Sequence, residues 1–278
     1  MKLSLSGRVA LVTGGARGIG AGIVRALAGE GMRVMVADIG VSETGGGTGA
    51  RDAGRDWSYL MASDTDLEAT LASGSDLAAV HVDVTDPASC AAAVAATVEE
   101  FGQLDILVNN AGVVDSGPIE DFNPEVWDRI FAVNAKGIFL MSQAALPYLR
   151  ASDQACIVNT ASIAGKKGYG NMSAYCGSKF AAIGITQSLA TELAPEHIRV
   201  NAICPGMVGT AMWLEHLLPA NTTDEAEKVE VFEARMAETI PLGRHQTTDD
   251  MGEAVVYLAT AGNVTGVSLS VDGGFDMR

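Results

Sequence analysis

A tyrosine and a lysine four positions apart have a spacing that suggests chemistry. Tyr175 and Lys179 lie in the stretch SAYCGSKF, which has helical character through Leu193, so one helix face carries both side chains. A free phenol has a pKa of about 10, and a nearby ammonium lowers that pKa by stabilising the phenolate. Tyr175 can then donate and accept a proton near neutral pH. Because a tyrosine and a lysine at this spacing are usually structural, the surrounding sequence has to show whether this pair is catalytic.

Two further polar residues stand where they can support this pair. Ser162 closes the stretch IVNTAS thirteen residues before Tyr175. Its hydroxyl can hydrogen-bond the oxygen of an alcohol or carbonyl substrate, because ligands of open α/β sheets bind at the carboxyl ends of strands. Asn134, in VNAKG, lies inside a helical segment. The residues alone leave it either a hydrogen-bonded core amide or a functional group.

A glycine-rich stretch predicts a phosphate site. TGGARGIG, at residues 13 to 20, places four glycines between an apolar run and a helix that begins near Ala21. Glycines accept unusual backbone angles and let a bulky ligand touch the main chain. The N–H groups and dipole of the following helix favour a pyrophosphate there. The spacing Gly-x-x-x-Gly-x-Gly differs from the usual Gly-x-Gly-x-x-Gly fingerprint, so the motif is only moderately specific.

An acidic residue predicts which dinucleotide binds. Asp38 ends the next apolar run eighteen residues beyond Gly20, where a carboxylate can accept hydrogen bonds from a ribose 2′-hydroxyl. The same charge would repel a 2′-phosphate, which favours NAD over NADP. Arg17 argues weakly for NADP, but no basic residue follows Asp38 directly. A surface aspartate that caps a turn is the structural alternative.

Short apolar runs rich in valine and isoleucine predict seven buried strands. The predicted strands are Arg8–Val12, Arg33–Ala37, Ala79–Val82, Ile106–Val108, Cys156–Val158, Val200–Ile203 and Val267–Val271. Helix-length segments separate them, with start signals at Asp86-Pro87 and Asn123-Pro124. Strands that are apolar throughout and alternate with helices predict an α/β fold, in which helices cover both faces of a parallel sheet.

Composition narrows the function classes. The chain has 278 residues, a formal net charge of −16 and 48% hydrophobic residues, which suits one large domain. Without clusters of lysine and arginine, nucleic acid and anionic membranes are poor partners. The four cysteines and four histidines show no metal-ligand or redox spacing, so we expect no metal. No secretory signal and no apolar run of membrane length is present, so we expect a cytoplasmic protein.

Two segments interrupt the alternation of strands and helices. Residues 40–78 are first rich in glycine and then carry Met61 ahead of a possible helix from Asp64, which predicts a surface insertion. Residues 207–240 follow the last motif and contain several large apolar side chains, which predicts a mobile substrate lid. The stretch 168–172, between Ser162 and Tyr175, is the expected opposite wall of the substrate site.

Taken together, these motifs resemble the short-chain dehydrogenase/reductase family, in its classical subgroup. The resemblance covers essentially the whole chain, and its motifs occur in the family's order: TGGARGIG, Asp38, DVTD at 83–86, NNAG at 109–112, Asn134, Ser162, Tyr175-x-x-x-Lys179 and CPG at 204–206. It implies a single Rossmann-type, doubly wound domain over residues 1–278, with a seven-stranded parallel sheet flanked by helices. Only the insertion after Asp38 departs from the pattern, at one edge of the expected adenosine site.

The resemblance also implies a role for each matching residue. Tyr175 would be the general acid and base, Ser162 would polarise the substrate oxygen, and Lys179 would lower the pKa of Tyr175 and bind the nicotinamide ribose. Asn134 would anchor a water that relays protons. Cofactor contacts are implied for Gly14, Arg17, Gly18, Ile19, Gly20, Asp38, Ile39, Asp83, Val84, Asn110, Ala111, Gly112, Tyr175, Lys179, Pro205, Gly206, Val208 and Thr210.

The activity implied is that of an NAD-dependent oxidoreductase, which interconverts a secondary alcohol and its ketone by hydride transfer. CPGMVGTAMW and IPLGR are most similar to members that act on polyols, diols or ketols. Reduction of a 3-oxoacyl group or of a cyclic or terpenoid ketone stays an alternative. So does a protein that senses NAD without turnover. Family members also imply a homotetramer.

Overall fold

The apolar runs form one parallel sheet in the computed structural model, which describes residues 3–40, 61–209 and 225–277. Its strand order is β3-β2-β1-β4-β5-β6-β7. The strands are β1 (Val9–Thr13), β2 (Arg33–Asp38), β3 (Leu77–His81), β4 (Ile106–Asn109), β5 (Cys156–Thr160), β6 (Arg199–Pro205) and β7 (Ser268–Val271). The predicted α/β fold with a seven-stranded parallel sheet is confirmed, with strand ends shifted by one or two residues in most cases.

Helices fill the connections between the strands. In the described part of the chain they are α1 (Gly18–Gly29), α2 (Asp64–Leu71), α3 (Pro87–Phe101), α4 (Pro124–Phe131), α5 (Gly137–Leu149), α6 (Ser173–Leu193), α7 (Glu225–Thr239) and α8 (Thr248–Thr260). Both predicted start signals are confirmed. The Asp86 carboxylate accepts the N–H groups of Ala88 and Ser89, and the Asn123 side chain accepts that of Glu125.

Each face of the sheet is covered by its own hydrophobic core. Leu11 of β1 packs in a cluster with α3, α4, α5 and α6. Its neighbour Val12 packs on the opposite face, in a cluster with α1 and α8. Because side chains alternate along a strand, one apolar run feeds both cores. The strand ends are therefore held firmly enough to position side chains at the sheet's edge.

The two helices of the second core approach each other unusually closely. A Cβ atom added to Gly22 of α1 would lie 2.4 Å from the carbonyl oxygen of Thr248. One added to Gly252 of α8 would lie 2.6 Å from Ala26 Cβ. Only glycine fits at these two positions, so α1 and α8 are in direct backbone contact.

The predicted insertion at 40–78 lies partly among the described residues, and the possible helix from Asp64 is confirmed as α2. Its second half contains α2, which lies between β2 and β3, and β3 begins at Leu77, two residues before the predicted strand. Parallel neighbours need a crossover connection, and α2 supplies it. Residues 61–78 are thus regular parts of the fold, while residues 41–60 fall outside the described residues.

One helical segment is interrupted by a wider turn. Between α4 and α5, residues Ala132–Lys136 form a π-helix. The whole segment Pro124–Leu149 is 26 residues long and apolar enough to cross a membrane by length and composition, yet more than half of its apolar stretch is buried within the protein. Its burial is that of a core segment packed against the sheet and α6.

Candidate active site

A cavity of about 480 Å³ opens at the carboxyl ends of the strands. Strand order reverses at β1 and β4, so the connections after these neighbours leave toward opposite faces and create a crevice. Gly14 after β1, Asp38 at the end of β2 and Ser162 after β5 all line it. The sheet thus brings together residues that are far apart in the chain.

The glycine turn presents bare backbone to this cavity. Gly14 and Gly18 have φ of +61° and +55°, values that favour glycine. A Cβ on Gly14 would lie 2.9 Å from Ala111 Cα, and one on Gly20 would lie 1.9 Å from the Gly14 carbonyl oxygen. In the described structure the N-cap residue of α1, Arg17, makes no side-chain capping bond. The first N–H groups of α1 therefore suit an anionic group.

Asp38 is a buried carboxylate on the cavity wall, with 7% of its surface exposed. It accepts the Ala16 N–H at 3.2 Å and the Gly40 N–H at 3.1 Å. Thr70 of α2 donates to the Ala16 carbonyl oxygen at 2.8 Å. The crossover helix and Asp38 thus hold the glycine turn from two sides, and the carboxylate keeps acceptor capacity for a ligand.

Asn110 ties β4 to the same turn. Its amide nitrogen donates to the carbonyl oxygens of Thr13 and Gly14 at 3.1 and 3.0 Å. Its backbone N–H donates to the Thr13 hydroxyl at 3.0 Å. These bonds explain why an asparagine follows β4: it closes the gap between two parallel strands where their ladder ends.

Tyr175 and Lys179 share one face of α6, as their spacing predicts. The Lys179 ammonium lies 5.7 Å from the centroid of the Tyr175 ring and donates to the Thr160 carbonyl oxygen at 2.9 Å. Both side chains are buried and line the cavity. Burial lowers the pKa of Lys179 to about 8, because a charged ammonium loses hydration there.

Ser162 stands next to this pair, just beyond β5. Its hydroxyl oxygen accepts the Ala164 N–H at 3.1 Å, which caps a short 3-10 turn. The bond leaves the hydroxyl proton for another acceptor. Ser162 lines the cavity together with Tyr175, so a ligand oxygen can meet both hydroxyl groups.

Comparisons with known proteins agree with this geometry. A family model described as "Enoyl-(Acyl carrier protein) reductase" matches residues 49–276. Galactitol 2-dehydrogenase of Agrobacterium fabrum is 36% identical over 98% of each chain, and (+)-borneol dehydrogenase 2 of Salvia officinalis is 38% identical over 99% of this chain and 91% of the relative. The crystal structure of a short-chain type dehydrogenase/reductase from Mycobacterium marinum has a TM-score of 0.79 and 30% identity, over 99% of this chain and 98% of that one.

The chain belongs to the short-chain dehydrogenase/reductase family. The predicted family and enzyme class, an oxidoreductase, are confirmed. Carveol dehydrogenase from Mycobacterium avium, solved in complex with NAD, is similar over 99% of both chains, with a TM-score of 0.85 and 30% identity. The 3-ketoacyl-(acyl-carrier-protein) reductase of Brucella melitensis, solved with NADH, has a TM-score of 0.80 and 31% identity, over 98% of this chain and 99% of that one.

Most residues that the family resemblance implies meet at the cavity. Besides Ser162, Tyr175 and Lys179, the wall contains Gly14, Arg17, Gly18, Ile19, Gly20, Asp38, Ile39, Asp83, Val84, Asn110, Ala111, Gly112, Pro205, Gly206 and Val208. Thr210 lies outside the described residues. Their roles toward a ligand stay predictions.

Asn134 differs from the other implied residues, because its side chain is fully buried behind the cavity wall. Its amide oxygen accepts the Val113 N–H at 2.8 Å, and its nitrogen donates to the Val113 carbonyl and to Ser178 Oγ. Ser178 in turn donates to the Tyr175 carbonyl oxygen at 2.7 Å. Of the two interpretations left open by the sequence, the hydrogen-bonded core amide describes this side chain, and the water relay stays a prediction.

Sequence reasoning missed a second set of cavity residues. They are Ala62, Asp66, Val82, Val113, Arg129, Val133, Thr160, Ala161, Ile163 and Ala164. Thr160, Val82 and Val113 follow or end strands, so the strand-end rule could have found them. Tyr169 and Met172, from the predicted opposite wall, and Met207, from the predicted lid, do line the cavity.

In the described part of this family member, no cluster of three or more histidine, cysteine or acidic residues could hold a metal. The four cysteines, Cys90, Cys156, Cys176 and Cys204, are buried and free. Burial raises the pKa of Cys90 and of Cys204 to about 11. The thiols of Cys90 and Cys204 are therefore protonated near neutral pH and behave as small apolar side chains.

Proposed function

We propose that this chain is an NAD-dependent dehydrogenase that interconverts a secondary alcohol and its ketone. The observation that carries the proposal is the meeting of Ser162, Tyr175 and Lys179 at one cavity that also receives the glycine turn. A proton-transfer site and a nucleotide site in one crevice suit hydride transfer. A protein that only senses NAD has no need of the first site.

The residues present fit NAD. The glycine turn offers bare backbone and helix N–H groups to a pyrophosphate, at positions where a Cβ would clash. Asp38 offers a buried carboxylate to the adenosine ribose hydroxyls and would repel a 2′-phosphate. Asp83 and Val84 would border the adenine, and Pro205, Gly206, Val208 and Thr210 the nicotinamide. NAD supplies the hydride acceptor, and the protein supplies orientation and proton transfer.

Each reacting side chain has one task at a stated atom. Ser162 Oγ donates a hydrogen bond to the substrate oxygen and holds it beside Tyr175. The Tyr175 phenolate removes the hydroxyl proton during oxidation, and the phenol returns it during reduction. Lys179 Nζ stabilises the phenolate and binds the nicotinamide ribose. Its pKa of about 8 also lets it exchange a proton near neutral pH. Asn134 holds α6 and the Val113 segment together and anchors the water that passes this proton on.

The substrate end of the cavity supports a second substrate class beside polyols. Among the described residues there, the wall next to Ser162 and Tyr175 is largely apolar: Val113, Ile163, Ala164, Tyr169, Met172 and Met207. A polyol needs several hydrogen-bonding side chains, because its other hydroxyls would otherwise lose hydration without compensation. A cyclic or terpenoid secondary alcohol is therefore a second candidate beside the polyol, diol or ketol. The relatives named for galactitol and for borneol represent the two classes.

Substrate oxidation can be followed directly through the nicotinamide absorbance band. We expect NADH formation with NAD and at least one member of a panel of polyols, diols, cyclohexanols and terpenoid alcohols, and much less with NADP. NAD binding detected by calorimetry without turnover across the panel would favour the sensor instead. Turnover with NADP but not NAD would contradict the role of Asp38.

The proposal extends to organisation of the whole chain. Residues 1–278 form one domain, with residues 207–240 as a substrate lid. Support for the lid comes from Met207, which packs against Phe232, Met236 and Ile240 of the segment around α7.

We propose a cytoplasmic homotetramer. The exposed aromatic residues Trp127, Phe139, Tyr148 and Phe180 of α4, α5 and α6 are candidates for subunit contacts. Light scattering on the eluting protein tests the tetramer.

A further inference from the structure

A buried glutamine holds the loop that follows β6. The Oε1 atom of Gln246 accepts the Met207 N–H at 2.8 Å. The Gln246 N–H donates to the Met207 carbonyl oxygen at 3.0 Å, and Val208 pairs with Gln246 in an isolated parallel bridge. Only 3% of Gln246 is exposed. One residue thus satisfies both backbone polar groups of Met207.

The same loop is pressed against the carboxyl end of β7. The Gly206 N–H donates to the Val271 carbonyl oxygen at 3.0 Å. A Cβ added to Gly206 would lie 2.6 Å from Gln246 Oε1 and 2.7 Å from Asp272 Cβ. The loop is therefore packed closely against Gln246 and Asp272.

Met207 links this loop to the region of the proposed lid. Its side chain packs against Phe232 and Met236 of α7, while its backbone is held by Gln246, and the residue lines the cavity. His245, next to Gln246, packs against Phe232 with ring centroids 5.4 Å apart. Met207, which precedes α7 in the chain, and Gln246, which follows it, are thus in direct contact.

We propose that Gln246 is a positioning residue for NAD binding. It does not line the cavity itself, and it acts on the affinity for NAD by holding the Pro205–Val208 loop in place. The inference rests on the proposed function, in which this loop borders the nicotinamide. Without the Oε1 acceptor, the Met207 N–H would be buried and unsatisfied, so the loop would shift to reach water. NAD would then bind only the fraction of molecules with the loop in place, and its apparent affinity would fall by that fraction.

Gln246→Met tests this at nearly constant side-chain volume. We expect the Kd of NAD, measured by calorimetry without substrate, to rise roughly five- to tenfold, as for the loss of one buried hydrogen bond. Hydrogen exchange at the Met207 amide should accelerate in the same variant. Gln246→Glu keeps an acceptor oxygen whether ionised or protonated, and it should bind NAD within about twofold of the unchanged protein.

Asn201 provides a matched control at the other end of β6. Its side chain is also fully buried and bonds two backbone groups, the Val264 carbonyl at 2.9 Å and the Val267 N–H at 3.2 Å. Asn201→Leu should lower the Tm and leave the Kd of NAD unchanged. A purely structural role for Gln246 would give its variants the same result.

The inference is overturned if Gln246→Met binds NAD as tightly as the unchanged protein, or if Asn201→Leu weakens NAD equally. If Gln246→Met does not fold, Gln246→Glu decides: weaker NAD binding without faster Met207 exchange, or faster exchange without weaker NAD binding, overturns the inference, and an NAD affinity that falls together with faster Met207 exchange supports it. Failure of the unchanged protein to bind NAD would instead refute the proposed function, on which this inference rests.

Discussion

The two ends of the parallel sheet use buried polar groups in opposite ways. At the amino end, Asp105 is 2% exposed and its carboxylate is saturated by protein donors. It accepts the Val9 N–H at 2.8 Å, the Arg8 guanidinium at 3.1 Å, the Gln103 amide at 2.7 Å and the Ser152 hydroxyl at 2.6 Å. Such a saturated network stabilises the fold and leaves nothing for a ligand.

At the carboxyl end, the buried polar groups are only partly committed to the protein. Asp38 accepts two backbone N–H groups and still lines the cavity. Lys179 donates to Thr160, and the Ser162 oxygen accepts from Ala164, and both also line the cavity. The comparison teaches that burial alone does not mark a functional residue. What marks it is bonding capacity left over after the fold is complete.

The largest effect is expected from removing one oxygen atom at the carboxyl end. Tyr175→Phe should lower kcat roughly a thousandfold, because positioned proton transfer contributes on that order. The Kd of NAD and the Tm should change little, since the ring remains. Stopped-flow or steady-state assays with the substrate found in the panel measure kcat. Substantial residual turnover would contradict the assignment of Tyr175.

At the amino end of the sheet, removing a buried polar group should instead lower the stability of the fold. Asp105→Ala should lower the free energy of unfolding by roughly 3 kcal/mol, because it leaves the buried Val9 N–H without its acceptor and removes the buried partner of Arg8. Urea unfolding measures this, and kcat below the transition should be unchanged. Asp153→Ala is the control: Asp153 also pairs with Arg8 but is exposed, and its removal should have a much smaller effect. Equal effects would refute the contrast.

The lowered pKa of Lys179 should make the free energy of unfolding depend on pH. Its folded-state pKa is about 8, below the ordinary value of 10.5, so the unfolded chain binds more protons between these values. The free energy of unfolding should therefore rise with pH across about 8 to 10.5, relative to Lys179→Met, by on the order of 3 kcal/mol. Urea titrations of the protein without NAD measure the difference. Lys136→Met, at an exposed lysine, keeps Lys179 and should show the same rise relative to Lys179→Met as the unchanged protein.

The smallest effect is expected at Asp38, where a substitution separates the role in holding the glycine turn from the role in binding NAD. Asp38→Asn keeps one acceptor oxygen, which serves the N–H of either Ala16 or Gly40 but not both, and it loses the charge. We expect the Kd of NAD to rise about tenfold, the value of one charge-assisted hydrogen bond, and NADP to bind relatively better. The ratio of the two dissociation constants is the measurement. An unchanged ratio would show that Asp38 serves only the turn.

Local patterns explain how much of the fold could be predicted. Asp86-Pro87 and Asn123-Pro124 carry their helix-start signal in adjacent residues, so α3 and α4 were placed correctly. β3 was predicted two residues late, because it is an edge strand and only half-buried, which makes its apolar run weak. The site residues at strand ends followed from the parallel order, since that order brings all carboxyl ends to one edge.

Other features depend on partners that no local pattern reveals. The Asn134 amide hydrogen-bonds the backbone of Val113, 21 residues away. Gln246 hydrogen-bonds the backbone of Met207, 39 residues away. A sequence shows that such an amide sits among apolar residues, but not which backbone group it meets. The π-helical turn at Ala132–Lys136 is hidden for the same reason, because its residues also suit an ordinary helix.

The contact between Gly22 and Gly252 limits how this chain can be recombined with its relatives. A chimera that takes its first half from this protein and its second half from a homologue inherits one side of the contact from each parent. A bulkier residue opposite Gly22 would displace α8, which begins two residues after Gln246. Successful crossover points will therefore be those that transfer both glycines together.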